Sequence, residues 1–399
     1  MSGDALTQRR RGAERGSWPR MRLGDVCRID TSISFPCEEE IWLLNLDMIE
    51  QQTGRVIQRI YVDGNALGGS TVAFDENCVL YSKLRPNLNK VVLPDRQGVA
   101  TSEILPLRCN TDHTTREFVC WFLRSPAFVS YAMNRTAGAK MPRLGTKELL
   151  NAKIPLPPLA EQRRIASKLD RLCDIVTKRK AQLSQLQQLV KSRFVEMFGD
   201  PMTNPNGWPM AMVGDHLRFL TSGSRGWAKY YADDGELFIT IKNVKGGKIC
   251  TNDVQHVKPP TGAETERTRV QEGDLLISIT ADLGRTGIVT RDLADQGAYI
   301  NQHLSCARLD RKSVEPLFVA FYLESTAGKA QFEKKNQSAV KAGLNFEAIR
   351  SLRFYLPPLA LQREFAAFVA KVDKLAFAVK KSLESSEKLY RQQLSEAFP

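Results

Sequence analysis

The chain of 399 residues lacks most of the sequence features that mark metalloproteins, secreted proteins and membrane proteins. It has only four histidines, which lie far apart and form no ligand set with acids or cysteines. The eight cysteines show no C-x-x-C spacing, so neither a zinc site nor a disulfide framework is predicted. No apolar run is long enough to cross a bilayer, and no hydrophobic stretch follows the arginine-rich start. We therefore expect a cytoplasmic protein.

Catalytic motifs are missing as well. The glycine-containing stretch Ser222–Gly226 lacks the spacing of a nucleotide-binding loop, and there is no Gly-Lys-Ser/Thr motif and no N/D-P-P-Y/F motif. A magnesium-dependent nuclease needs clustered carboxylates with a nearby lysine. Neither Asp95 with Glu103 nor the run Glu333-Lys334-Lys335 supplies that set. We expect a chain that binds no cofactor and no metal and is not an enzyme by itself.

Basic residues are in excess. The chain has 57 lysines and arginines against 44 acids, which gives a net charge of +13 and predicts a polyanionic partner such as nucleic acid. Its length suggests two or three domains, and 42% apolar residues can form their cores. Residues 1–17 are polar, arginine-rich and without periodicity, which predicts a disordered basic arm.

Two copies of one helical pattern dominate the rest. Each copy follows a Pro-Pro-Leu-Ala sequence, at residues 157–160 and again at 357–360, and continues with apolar residues spaced by four and three. Such a period, held over about five heptads, is typical of a coiled-coil seam. Each seam has one polar break, at Arg179 and at Ser386. The apolar seam positions are Ile165, Leu169, Leu172, Val176, Leu183, Leu186 and Val190 in the first copy, and Phe365, Val369, Val372, Ala376, Val379, Leu383 and Tyr390 in the second.

The stretches before the helices are also related. Trp18-Pro19 has a counterpart at Trp208-Pro209, and from residues 101 and 301 onward the two halves correspond at a constant offset of 200. Strands are predicted at 42–46, 79–85, 237–241 and 275–281. The prediction is an α+β protein with two similar globular domains, at 18–157 and 200–357, and long helices at 158–199 and 358–399. The helices are expected to pair antiparallel and give the chain pseudo-twofold symmetry.

Two unequal basic domains on a helical rod would suit the reading of a DNA duplex at two places. Phosphate contacts supply affinity, while arginine, lysine, asparagine and glutamine can read base edges. Candidate DNA-binding residues are Lys83, Arg85, Asn87, Arg135, Lys140 and Arg143 in the first domain and Arg225, Lys229, Arg285, Lys334, Lys335 and Lys341 in the second. Candidate partner-binding residues on the helices are Glu161, Gln162, Lys168, Arg171, Lys178, Gln182 and Gln362.

From Trp18 onward the chain resembles the specificity subunit of type I restriction-modification enzymes. The start of the helix, Pro157-Pro158-Leu159-Ala160-Glu161-Gln162, carries the resemblance most strongly because it is repeated behind two divergent domains. The second copy has Leu361 in place of the glutamate. Other matching motifs are Leu23-Gly24-Asp25, Gly273-Asp274-Leu275-Leu276-Ile277-Ser278, Gly284-Arg285-Thr286-Gly287 and Ile300-Asn301-Gln302.

The resemblance implies a non-catalytic subunit with two target-recognition domains, each binding one half of a split, asymmetric DNA site. Its helices would set the spacing and dock two methyltransferase subunits that carry S-adenosylmethionine. Restriction subunits that use ATP and magnesium as motors would complete the complex. Two alternatives stay open at this point, a specificity partner of a methyltransferase-nuclease without a motor subunit and a coiled-coil scaffold that binds no DNA.

Overall fold

The computed structural model describes residues 18–33, 40–66, 70–138, 140–335 and 343–399. Contacts divide the chain into two units, unit 1 with residues 1–181 and 380–399, and unit 2 with residues 182–379. Each long helix therefore contributes one part to each unit, whereas the sequence treated the helices as segments separate from the domains. The arm predicted at 1–17 lies outside the described residues.

Unit 1 is a mixed α+β unit with two four-stranded sheets. One sheet has the strand order β2-β9-β6-β7 and is antiparallel, while the other has the order β4-β3-β8-β5 and pairs β3 with β8 in parallel. Two short antiparallel pairs, β1 with β12 and β10 with β11, complete it. The strands are β1 (Arg20–Arg22), β2 (Cys27–Ile29), β3 (Ile41–Leu44), β4 (Ile60–Val62), β5 (Thr71–Phe74), β6 (Cys78–Ser82), β7 (Val91–Val92), β8 (Gly98–Thr101), β9 (Ile104–Cys109), β10 (Thr136–Ala137), β11 (Arg143–Leu144) and β12 (Lys153–Pro155). The helices are α1 (Leu23–Val26), α2 (Arg116–Arg124), α3 (Pro126–Met133), α4 (Thr146–Asn151) and the first part of α5 (Leu159–Phe198).

Unit 2 repeats the first sheet of unit 1 and has a second sheet of different strand order. Its sheets have the orders β14-β23-β20-β21 and β15-β19-β16-β22, again with one parallel pair, β16 with β22. The short pairs are β13 with β24 and β17 with β18. The strands are β13 (Met210–Met212), β14 (Leu217–Ser222), β15 (Tyr231–Ala232), β16 (Glu236–Ile239), β17 (Val244–Lys245), β18 (Lys248–Ile249), β19 (Gln255–Val257), β20 (Leu275–Ser278), β21 (Thr286–Ile288), β22 (Ala298–Ile300), β23 (Leu304–Leu309) and β24 (Arg353–Tyr355). The helices are α6 (Ala263–Thr268), α7 (Arg291–Asp295), α8 (Pro316–Glu324), α9 (Thr326–Lys335), α10 (Phe346–Arg350) and the first part of α11 (Leu359–Ala397).

All four predicted strands end earlier than expected, and for two of them, β6 at Ser82 and β20 at Ser278, the reason is the same. The Ser82 hydroxyl donates to the carbonyl of Leu84, and the Ser278 hydroxyl donates to the carbonyl of Asp282. Such side-chain to backbone bonds compete with a sheet ladder and turn the chain. The residues that follow are therefore loops rather than strand ends.

Within each unit, parts of the two long helices pack on the globular core in opposite directions. In unit 1, Lys168 bonds Gln393, and Lys180 pairs with Glu387 at 2.8 Å, so position numbers rise on one helix as they fall on the other. Aromatic side chains tie the helices to the sheet unit, with ring centroids 5.1 Å apart for Phe118 and Phe398. In unit 2 the corresponding cluster holds Phe194, Phe198, Phe318 and Phe365.

The two polar breaks in the helical seams meet each other in unit 1. The Arg179 guanidinium donates to the Ser386 hydroxyl at 2.8 Å and to the carbonyl of Ser382. Because both breaks have partners, neither leaves a polar group unsatisfied in the seam. A single polar pair of this kind fixes the register of a coiled coil. Among the described residues, no helix is both long enough and apolar enough to span a bilayer.

Candidate nucleic-acid interface

In unit 1 the candidate DNA-binding residues lie on two segments that meet beyond the end of β6. The amide of Arg85 donates to the carbonyl of Pro142 at 2.7 Å, and the amide of Leu144 donates to the carbonyl of Lys83 at 2.9 Å. These bonds join segments that are distant in the sequence. The candidates on them are Lys83, Arg85 and Asn87 on the first segment and Arg135, Lys140 and Arg143 on the second.

The six side chains differ in what they already bind. Arg143 forms an ion pair with Glu103 at 3.0 Å. Arg135 lies over the ring of Tyr131 at 4.0 Å and 3.7 Å from the Glu148 carboxylate. Both arginines are therefore partly engaged within their own unit. Of the others, Lys83 is half-buried, and the exposed ones are Arg85, Asn87 and Lys140.

Unit 2 has an equivalent surface beyond the end of β20, formed by the corresponding segments. We call this surface the edge of each unit. Thr280 forms an isolated β-bridge with Gly343, and the amide of Leu344 donates to the carbonyl of Ile279 at 3.0 Å. The amide of Ile279 in turn donates to the carbonyl of His303 at 3.0 Å. The two units thus present the same kind of edge, where three loops converge at the ends of strands.

Two of the second-domain candidates lie at this edge. Arg225 is exposed and follows Ser224, whose carbonyl accepts from the amide of Gln302 at 3.0 Å. Arg285 is half-buried and pairs with Asp282 three residues before it. The carboxylate neutralises part of the charge that Arg285 was expected to offer to DNA.

The other described second-domain candidates have different surroundings. Lys229 is exposed on a short 3-10 turn, and Lys334 is exposed near the end of α9. Lys335 donates to the Ser351 hydroxyl at 2.7 Å, so its ammonium group is engaged within the unit. Lys341 lies outside the described residues.

Sequence reasoning missed Glu103 and His303, which lie at the edges themselves. The carbonyl of Glu103 accepts from the amide of Lys83 at 3.0 Å, as that of His303 does from Ile279. The signal was present, because these two residues correspond at the offset of 200. A pattern of positive and amide side chains does not mark them, because one is an acid and the other a histidine.

A buried carboxylate in each unit forms an ion pair at the start of the strand, β6 or β20, whose other end leads to the edge. In unit 2, Asp274 is fully buried and accepts two hydrogen bonds from Arg308, at 2.7 and 2.8 Å. In unit 1, Arg108 pairs with Asp30. The Ser32 hydroxyl, together with Arg108, lowers the pKa of Asp30 to about 2. These pairs are structural, because paired charges satisfy each other in the interior.

The predicted role of Gln162 as a partner contact needs correction. Its side chain is fully buried and makes four hydrogen bonds within unit 1. The amide oxygen accepts from the Thr114 hydroxyl at 2.9 Å and from the amide of Thr115 at 3.1 Å. The amide nitrogen donates to the carbonyls of His113 at 2.8 Å and Pro157 at 2.9 Å. Gln162 therefore fastens the start of α5 to its own domain.

Gln362 is corrected for the same reason. It is fully buried, accepts from the amide of Glu315 at 2.9 Å and donates to the carbonyl of Pro357 at 2.7 Å. In both units the glutamine of the repeated Pro-Pro-Leu-x-x-Gln motif therefore hydrogen-bonds the start of the long helix to its own domain. We call this set of hydrogen bonds the clamp. Glu161 is half-buried and pairs with Arg164 at 2.6 Å within the helix.

The other partner-binding candidates lie on helix surfaces. Lys168 bonds Gln393 of the C-terminal helix, while the exposed residues are Arg171, Lys178 and Gln182. Sequence reasoning overlooked exposed apolar residues on the same helices. In unit 1 these include Ile175 and Leu389, which are 39% and 44% exposed, and in unit 2 they include Leu189 and Leu375, which are 48% and 58% exposed.

Within the described ranges, no group of three or more histidine, cysteine, aspartate or glutamate side chains could hold a metal ion. The arrangement consists of two similar edges with converging loops, where Arg85, Asn87 and Arg225 are exposed, and of one buried carboxylate ion pair in each unit.

Comparison with known proteins agrees with this geometry. The model of the type I restriction modification DNA specificity domain matches residues 16–187 and again residues 235–386. The chain belongs to this family. It is 21% identical over 404 residues to the type I restriction enzyme EcoBI specificity subunit of Escherichia coli, covering 93% of this chain and 82% of that protein. It is 25% identical over 283 residues to the EcoKI specificity subunit of Escherichia coli strain K12, covering 67% and 61%.

A solved structure shares the fold of this family member. The type I restriction-modification system S subunit from M. genitalium aligns over 96% of both chains with a TM-score of 0.62 and 13% identity. This agrees with an α+β chain that contains two specificity domains.

Proposed function

We propose that this chain is the DNA specificity subunit of a type I restriction-modification complex, and that each unit reads one half of a split, asymmetric site. The observation that carries the proposal is the repeated edge. The backbones of Lys83 and Ile279 make equivalent hydrogen bonds in the two edges, each through its amide and its carbonyl. Their side chains nevertheless differ, one being a cation and the other apolar. A common scaffold with different reading residues would recognise two different half-sites, which makes the whole site asymmetric.

The net charge of +13 would supply affinity that does not depend on sequence. Phosphate contacts release counterions, so binding should weaken steeply as salt rises. Base contacts at the edges would then select among sequences. A scaffold without DNA function would show neither effect.

The long helices would set the distance between the half-sites and give the chain its pseudo-twofold symmetry. Helix α5 has 40 residues and α11 has 39, and each contributes to both units. A helix of that length is roughly 60 Å long. One heptad inserted into each helix at matched positions adds about 10 Å, which is about three base pairs of DNA. The unspecified gap in the recognised site should lengthen accordingly, and an unchanged gap would exclude this role.

The exposed apolar residues of the helices would dock the methyltransferase subunits. Ile175 and Leu375 are equivalent in the repeat, as are Leu189 and Leu389. Each unit therefore carries one residue of each equivalent pair. Two equivalent surfaces would bind two methyltransferase subunits. In this proposal the chain itself binds no cofactor. S-adenosylmethionine, ATP and magnesium would belong to the partner subunits, and the complex would act in the cytoplasm, where the chromosome is.

The test is to co-express this chain with its methyltransferase subunit in a host without adenine methylases and to map adenine methylation across the genome. The control is the methyltransferase subunit alone. A split asymmetric motif that appears only when the chain is present supports the proposal. A stable complex that methylates no defined motif would exclude it.

A further inference from the structure

Both edges contain one residue with an unusual backbone. Arg85 in unit 1 and Ala281 in unit 2 have positive φ angles, of 50° and 57°. They are equivalent, because each is the third residue after the serine that ends its strand, β6 or β20. Residues other than glycine rarely adopt this left-handed conformation, and it persists where surrounding contacts enforce it. Two divergent domains thus keep the same strained position.

At Arg85 a second local constraint opposes this conformation, because Pro86 follows it. A residue before proline favours an extended conformation. The backbone is held nonetheless, since the Arg85 amide donates to Pro142 at 2.7 Å and its carbonyl accepts from the amide of Leu88 at 2.9 Å. The next turn is fixed by Gln52, whose side chain donates to the carbonyl of Asn87 at 2.9 Å. The direction in which the Arg85 side chain leaves the backbone is therefore fixed.

The Arg85 side chain is exposed and makes no hydrogen bond or ion pair with the part of the chain that the structure describes. In this it differs from Arg143 and Arg285, which pair with acids. Arg85 lines an open groove of about 700 Å³ together with Asp47, Glu50 and Lys90, and most of the other lining residues are apolar. The Glu50 carboxylate already accepts from the Thr53 hydroxyl and from Arg55. The Asp47 carboxylate could accept a hydrogen bond from the amino group of cytosine, which together with a guanine at Arg85 makes up one G·C base pair.

We propose that Arg85 is a specificity-determining residue of unit 1 and donates two hydrogen bonds to a guanine in the major groove. The inference rests on the proposed function and adds the residue and the base. Two parallel bonds to O6 and N7 of guanine need guanidinium donors without a partner in the protein, and Arg85 has no such partner among the described residues. A bidentate phosphate contact would use the same donors, so the experiment has to separate the two. Ala281 has no polar side chain, so unit 2 must read its half-site with other residues.

The experiment uses the whole chain with its methyltransferase subunit. Arg85→Gly removes the side chain and leaves a residue that adopts positive φ without strain. Genome-wide adenine methylation should show that one G·C pair in one half-site has become unspecified, with the other half-site unchanged. With purified complex, the preference for that pair in duplex binding should fall about 5- to 100-fold, and the salt dependence should stay the same.

Two further variants control for folding. Ala281→Gly relieves the same strain in unit 2 without removing a polar group, and it should leave the motif unchanged. Arg85→Asn keeps a residue that tolerates positive φ and should give the same loss as glycine. An intact motif in both Arg85 variants would overturn the inference. So would uniformly weaker binding to all sequences with a salt slope reduced by about one, which marks a phosphate contact. If the wild-type chain itself directs no motif, the proposed function fails instead.

Discussion

Replacing Gln162 with leucine should destabilise unit 1 strongly, although the two side chains have similar volumes. The variant leaves four groups without their partner, namely the Thr114 hydroxyl and the Pro157 carbonyl at buried bonds and the Thr115 amide and the His113 carbonyl at partly buried ones. An unsatisfied buried polar group costs about 1–3 kcal/mol. At about 1 kcal/mol each, we expect a loss of about 4 kcal/mol in the free energy of unfolding of unit 1.

Gln362→Leu is the matched control, because Gln362 occupies the equivalent position in unit 2 with two hydrogen bonds, to Glu315 and Pro357. The same reasoning gives about 2 kcal/mol, and the loss should fall on unit 2. Each variant thus has its own unit as the target and the other unit as the internal reference.

Hydrogen exchange followed by mass spectrometry separates the two units, because each peptide reports the opening of its own region. The Gln162 variant should lose about 1,000-fold protection in unit 1 peptides, and the Gln362 variant about 30-fold in unit 2 peptides. Equal or negligible losses would refute the clamp. Unchanged protection combined with loss of methyltransferase binding would instead restore the original prediction of a partner contact.

Three other outcomes follow from the structure. The pKa of Asp30 is lower in the folded chain than in an unfolded one. The contribution of Asp30 to stability is therefore present above about pH 4 and is lost as the pH falls toward about 2. Asp30→Asn should remove this dependence in acid titrations followed by circular dichroism. Ile175→Asp combined with Leu389→Asp should reduce the number of bound methyltransferase subunits from two to one, measured by light scattering, with the melting temperature unchanged because both side chains are exposed. Arg179→Leu should remove the donor to the Ser386 hydroxyl and to the carbonyl of Ser382 and lower the melting temperature of unit 1 by a few degrees in calorimetry, whereas an unchanged temperature would mean that these bonds contribute nothing.

Patterns with a long period were easy to read from the sequence. The heptad spacing predicted helices at 158–199 and 358–399, and the structure has them at Leu159–Phe198 and Leu359–Ala397. The offset of 200 predicted a duplicated architecture, and the sheets β2-β9-β6-β7 and β14-β23-β20-β21 have equivalent strand orders, whereas the second sheet of each unit is ordered differently. Both signals are strong because many residues contribute to each.

Contacts between distant segments could not be read. Gln162 looked like a surface residue at the start of a helix, and its burial depends on where residues 113–115 lie. Arg179 and Ser386 were recognised as breaks, but their pairing depends on the stagger of the helices. The left-handed backbone of Arg85 had no local signal, since a residue before proline is expected to be extended.

The central claim is that two equivalent units each read one half-site, and it is tested most directly by a chain with two copies of one unit. The pairs β1 with β12 and β13 with β24 mark equivalent junctions, so residues 20–155 can be replaced by residues 210–355. Methylation mapping with this chain and the methyltransferase subunit should yield a split palindrome, because the symmetry of a site mirrors the symmetry of the protein that reads it. An asymmetric motif, or the wild-type motif, would contradict the account.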